Sequence, residues 1–214
     1  MSKTNRIERP RFHHVSLLVS LGIGLCLLGG CGNAASSPSA SAPQPIDITG
    51  GWKSECTPMN DTQAFSLDFA IAAKTWGVDY VVFGDKACSS KFLTVHIEGP
   101  YEIDSSSATV PEAREAMFSF TKKTVTPHSA AAASYLASDA GCKLPGFANG
   151  VAQDITGTGC GALGQYPVAK CPADYDLVKL SGDTLTFGAR PADNDMCTAD
   201  KRPKALSAVA SRRK

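Results

Sequence analysis

Residues 64–73 read AFSLDFAIAA and residues 76–84 read WGVDYVVFG. In the first run Phe65, Leu67, Phe69 and Ile71 fall on one side of an extended chain, with Ser66 and Asp68 on the other. This period of two marks a strand with one face in a core. The second run places Val78, Tyr80 and Val82 on one face, and the intervening Ala73-Lys74-Thr75 is short enough for a hairpin. Two adjacent antiparallel strands are therefore the starting point, and the rest of the chain is read outward from them.

The same period recurs on both sides. Residues 91–98 put Leu93, Val95 and Ile97 on one face, and Gly99-Pro100 is expected to end that strand. Residues 116–126, AMFSFTKKTVT, read as one further strand. Residues 174–180 and 184–188 flank Ser181-Gly182-Asp183, a turn whose glycine is free to take positive φ. With 48–56 and a short piece at 151–156 the count is eight strands. One segment reads as helix: Pro127 opens it, HSAAAASYLASDA follows, and Gly141 is the expected C-cap. The sequence thus predicts a mainly β fold, an antiparallel barrel of about eight strands with one short helix. A barrel of that size either fills itself with side chains or holds one small ligand.

The 214 residues, 43% of them hydrophobic, suit one globular domain. It is expected over residues 46–206, long enough to bury a full core, followed by a basic tail at 207–214. Charge is uneven along the chain. Lys3, Arg6, Arg9 and Arg11 lead it, and Lys201, Arg202, Lys204, Arg212, Arg213 and Lys214 trail it. Setting aside these ten bases and Glu8 leaves 11 basic and 19 acidic residues between 31 and 200, a charge of −8. An acidic body offers no footprint for nucleic acid, and the basic tail is expected to be solvated or to touch an anionic surface.

The beginning of the chain reads as an address. After a basic stretch, Val15 to Leu28 (VSLLVSLGIGLCLL) is apolar but shorter than the roughly 20 residues a membrane-spanning helix needs. It fits the hydrophobic region of a signal peptide over 1–30. Leu28-Gly29-Gly30-Cys31 resembles the lipobox of bacterial lipoproteins. That resemblance implies cleavage before Cys31, a diacylglyceryl group on its thiol and acylation of the new amino terminus. Gly32, where an Asp would signal inner-membrane retention, points to the outer membrane. Residues 31–45 then comprise the lipidated Cys31 and an Ala/Ser/Pro tether. Six cysteines remain for the exported domain: Cys56, Cys88, Cys142, Cys160, Cys171 and Cys197. An even number in an exported chain reads as three disulfides, with fifteen connectivities open.

The first expected strand, Gly50-Gly51-Trp52-Lys53-Ser54-Glu55-Cys56, carries a Gly-x-Trp that resembles the lipocalins, whose Trp packs across the closed end of the barrel. The wider order is more particular: Trp76, Tyr80, Asp85, Cys88, Gly99-x-Tyr101-x-Ile103, YDLVKLSGDTLTFG, Cys197 and Arg202-Pro203. Over roughly 50–205 this resembles the lipocalin-like domain of the adenomatosis polyposis coli down-regulated proteins, membrane-tethered Wnt antagonists of animals, and their bacterial relatives. The resemblance implies a barrel that takes acyl chains, and a Cys56–Cys88 bridge. With that bridge set, reflection through the turn at Gly182 brings Cys171 near 193–197 and favours Cys171–Cys197, which leaves Cys142–Cys160.

Catalytic and cofactor chemistry finds little support. Gly159-Cys160-Gly161-Ala162-Leu163-Gly164 spells G-x-G-x-x-G, but Pro167 interrupts the helix a dinucleotide site requires, so a disulfide-pinned loop is expected there. No cofactor and no metal are expected. His96 reads as a solvated strand residue and His128 as an exposed one beside the helix start. Asp193 and Asp195 fall in a polar loop. No nucleophile motif is present, and the chain is not expected to be an enzyme. Two readings remain. In one, a lipid-tethered barrel holds a small apolar ligand among Trp52, Phe65, Leu67, Phe69, Ile71, Val78, Tyr80 and Val82, with Trp52 closing one end. In the other, those residues fill the core and the protein works on an envelope protein through loops 104–115, 143–150 and 189–200.

Overall fold

The computed structural model describes residues 45–214. The expected signal peptide, Cys31 and all but the last residue of the tether lie outside the described residues. The described residues, 45–214, belong to one compact unit, and no helix among them is long and apolar enough to cross a membrane.

Strands β1 (Gly50–Ser54), β2 (Thr57–Pro58), β3 (Ala64–Ile71), β4 (Thr75–Phe83) and β5 (Lys91–Ser106) open the domain. Then follow β6 (Arg114–Ser119), β7 (Lys122–Pro127), α1 (Ala130–Ala137) and β8 (Gln153–Asp154). The last three strands are β9 (Ala173–Ser181), β10 (Thr184–Gly188) and β11 (Leu206–Arg213). The β3–β4 hairpin forms with Phe69 opposite Val78 and Leu67 opposite Tyr80. Pairing continues from β4 to β5, β6, β9, β10, β11 and β1, and β1 returns to β3. This is a closed antiparallel barrel of eight strands. Closure leaves no unpaired edge in the ring, the usual liability of a sheet. The β2 strand extends β3, and β7 with β8 forms a branch on the first half of β5.

Three expectations are corrected. Gly99-Pro100 does not end a strand; β5 runs through it for 16 residues. A Cβ on Gly99 would stand 2.1 Å from the Ser119 carbonyl oxygen, so only glycine lets β5 continue past that close approach. The expected strand 116–126 is two strands, both laid along β5. Glu98 faces Lys122 whereas Tyr101 faces Phe118, so one extra residue sits between β6 and β7, the count of a bulge. Helix α1 begins after Ser129, whose hydroxyl accepts from the Ala132 N–H, and Pro127 belongs to β7. Its C-cap is Ser138. Gly141 instead lets the chain fold back against the helix, with the Cys142 N–H donating to the Leu136 carbonyl at 2.8 Å.

The largest correction concerns residues 207–214. They are not a solvated tail: nearly all of them belong to β11, the strand that closes the ring between β1 and β10. Its bases meet the acidic body. Arg213 pairs with Asp183 at 3.5 Å and Lys214 with Asp68. Just before the strand, Arg202 reaches Glu115 at 3.1 Å and donates to the carbonyls of Ala116 and Asp176. A basic segment beside a body of charge −8 finds its counter-charges within the same fold.

The three disulfides join Cys56 to Cys88, Cys142 to Cys160 and Cys171 to Cys197, the pairs expected. All lie inside the compact unit, which therefore holds its own closed ring, core and crosslinks and has what it needs to fold by itself.

Candidate functional site

At one end of the barrel the interior is solid. Trp52 is wholly buried, its indole N–H donates to the Ile48 carbonyl at 2.8 Å, and the Arg213 guanidinium lies 4.1 Å over its ring. Trp52 and Arg213 are register partners on neighbouring strands, so they share the inner face and stack. Next comes an aromatic layer. Phe69 stacks on Phe187 at 4.7 Å, Phe118 meets Phe187 at 5.5 Å, and Trp76 meets Phe118 edge-on at 5.1 Å.

Beyond that layer the interior is hollow. A cavity of about 640 Å³ extends past the aromatic residues to Phe65, Leu67, Tyr80 and the loops that carry Leu163–Tyr166 and Arg190–Asn194. That volume lies within the roughly 300–1,000 Å³ of small-molecule sites. Burial along β3 and β4 shows that the space is open. Leu67 and Tyr80 face inward yet are only partly buried, while their outward neighbours Ser66 and Val81 are buried. A filled barrel would show the reverse.

Of the expected lining residues, Phe65, Leu67, Phe69, Val78 and Tyr80 line the cavity. Trp52, Ile71 and Val82 do not; all three are buried in the packed core. Alternation fixes the face a residue presents but not what covers it: each of the three is packed among core neighbours although its register partner, Phe69, Trp76 or Phe65, lines the cavity. The interaction loop expected at 189–200 borders the cavity through Ala189–Ala192 and Asn194.

Sequence reasoning missed a polar corner formed by Lys123, Asp174, Asp176 and Arg190. Asp174 and Asp176 face Phe118 and Ala116 across the β6–β9 ladder, which sets them on the inner face. Arg190 donates one terminal nitrogen to Asp174 and the other to Asn194 Oδ1. Asp176 Oδ1 accepts from the N–H groups of Leu177 at 2.7 Å and Gly188 at 3.0 Å. Burial nevertheless lifts its carboxyl to a pKa of about 6, against the pull of Arg190. The Tyr80 phenol is raised to about 12, again by burial. The strict alternation of Phe118 and Phe120 would have put Lys122 inside; the bulge puts Lys123 there instead.

Two loops border this corner, and each is crosslinked. The Gly159–Gly164 stretch forms a short turn beside the Cys142–Cys160 bridge, closed by Cys160 pairing with Gln165. That agrees with a disulfide-pinned loop. Asn194 Nδ2 donates to the Gly164 carbonyl at 2.8 Å and joins the two loops. On the outer wall His96 pairs with Asp79 at 2.7 Å and Glu98 at 3.3 Å, whereas His128 is half-buried and 2.8 Å from the Thr94 hydroxyl. In the polar loop Asp195 accepts from the Cys197 N–H and pairs with Lys201. No cluster of metal-ligating side chains exists among the described residues.

The family model for adenomatosis polyposis coli down-regulated 1 matches residues 37–157, more than half of the chain. The chain belongs to this family. The match takes in Trp52, β3, β4 and Lys123, and so covers one wall of the cavity, while β9 to β11, which complete the ring, follow it. No curated protein matches the sequence.

Proposed function

We propose that this chain is a lipid-anchored envelope protein, without catalytic activity, that carries a small apolar ligand in its barrel. The open cavity carries this reading: inward-facing Leu67 and Tyr80 are only partly buried around about 640 Å³ of space floored by aromatic rings. Three disulfides support a compartment outside the cytoplasm. Leu28-Gly29-Gly30-Cys31 supports a membrane anchor at Cys31, and Gly32 supports the outer membrane. Two or more acyl chains would hold the domain durably at a lipid surface. Neither a nucleic acid nor a cofactor has a part in this reading.

Native mass spectrometry of the Ser41–Lys214 unit, secreted in oxidised form, tests the cargo. The expected result is an extra mass of a few hundred daltons that organic extraction removes. A bare mass from every host would turn attention to the envelope-protein reading and to the loops. Labelling the full chain with radioactive palmitate tests the anchor, and Cys31→Ser should abolish incorporation.

A further inference from the structure

Lys123 is the least expected residue in the barrel. It is 3% exposed and faces Ile97 on the inner wall, because the extra residue between β6 and β7 shifts the alternation by one. Its ammonium donates to the Tyr166 carbonyl at 3.2 Å and sits 3.9 Å from the centre of the Phe120 ring. An ammonium has three N–H donors, and this one spends a single one on a neutral acceptor.

The nearby acids are committed elsewhere. Asp174 is held by Arg190, and Asp176 Oδ1 by two backbone N–H groups. No carboxylate among the described residues lies within ion-pair distance of Lys123. Arg190, the corner's other cation, already spends both terminal nitrogens. The cavity therefore combines a long apolar floor with one buried cation, two of whose three donors are unspent. Burial brings the Lys123 pKa down to about 8, which leaves it charged at neutral pH.

We propose that the cargo is a single-chain amphiphile with a monoanionic carboxylate head, and that the Lys123 ammonium receives that head while the chain lies over Phe69, Phe118 and Phe187. This rests on the cavity being a ligand site, as proposed above. A carboxylate supplies acceptors for the remaining N–H donors and the contact ion pair that no described carboxylate makes with Lys123, and a charge-assisted bond in a dry site is the stronger kind. One ammonium with two open donors matches one carboxylate head, and the volume suits one chain.

The test is calorimetric titration of the Ser41–Lys214 unit with dodecanoate and with 1-dodecanol, which share the chain and differ in the head. Dodecanoate should bind at least about tenfold more tightly. Lys123→Met should remove that preference and leave dodecanol affinity unchanged, whereas Lys123→Arg should keep it. Equal binding of the two heads to the native protein would overturn the proposal and leave the ligand site standing. Binding of neither would remove the site, and the proposal with it. Should Lys123→Met not fold, dodecanoate labelled with ¹³C at the carboxyl decides on the native protein alone. Its signal should titrate below the free acid when bound, and titration at the free value overturns the assignment.

Discussion

The two ends of the barrel differ in how they are held. At the Trp52 end, strands from opposite ends of the domain supply a buried indole, a guanidinium over it and an aromatic layer beneath. At the other end, the inner faces of β3 and β4 meet open space, and crosslinked loops take the place of packing. Stability and binding are thereby assigned to different residues. A side chain that completes the solid end cannot also yield to a ligand, and one that lines the mouth leaves part of its surface to be covered by another molecule.

Removing β11, by ending the chain before Leu206, should have the largest effect. Both ladders that close the ring disappear, and the loss is expected to exceed the roughly 5–15 kcal/mol of a typical domain. Near-ultraviolet circular dichroism should then show no cooperative melt. Next comes a paired test of the contrast itself. Trp52→Ala should cost about 3–5 kcal/mol in denaturant unfolding, and Leu67→Ala about 1 kcal/mol. Similar costs would mean that the mouth is packed like the plug, and the division of labour would fail.

Replacing Cys142 and Cys160 together by Ser should cost about 3 kcal/mol through loop entropy. It should also raise hydrogen exchange in 159–166 while leaving the Trp52 end protected. The smallest effect concerns pH. Asp176 keeps its proton to about pH 6 when folded but loses it near 4 when unfolded. Between those values the native state holds more protons, so this group's contribution to stability is full below about pH 4 and lost as pH rises to about 6. Asp176→Asn should remove that decline in melts taken from pH 4 to 6.5, and an unchanged profile would show that another group titrates there.

Periodicity in the sequence was enough to place β3, β4 and the β9–β10 hairpin, because each is a half-buried strand with one apolar face. It was enough, too, to place five of the residues that line the cavity. What escaped it has two physical causes. Where a bulge shifts the register, as between Phe118 and Lys123, alternation points a base outward that the fold turns inward. And where a strand is defined by its partners, composition misleads: LSAVASRRK at 206–214 looks like a tail until β1 and β10 are set on either side of it. Asp174 and Asp176 escaped for a related reason. Read alone, DYDLVKL gives no sign that its acids face a barrel interior, since their partners Arg190 and Gly188 reach them only in the folded chain.

Closure by β11 also bears on the order of events as the protein forms. Arg213 donates to the Thr49 carbonyl across 164 residues of chain, so the contact that seals the ring is among the most distant in sequence. Such contacts incur the full entropy of loop closure before they return anything, which places folding in the slow range typical of β barrels. For a chain delivered amino end first, β1 waits with a free edge until almost everything else has arrived. Its shortness, with two glycines at its start and the exposed Lys53 in its middle, is what keeps that waiting edge from recruiting another strand.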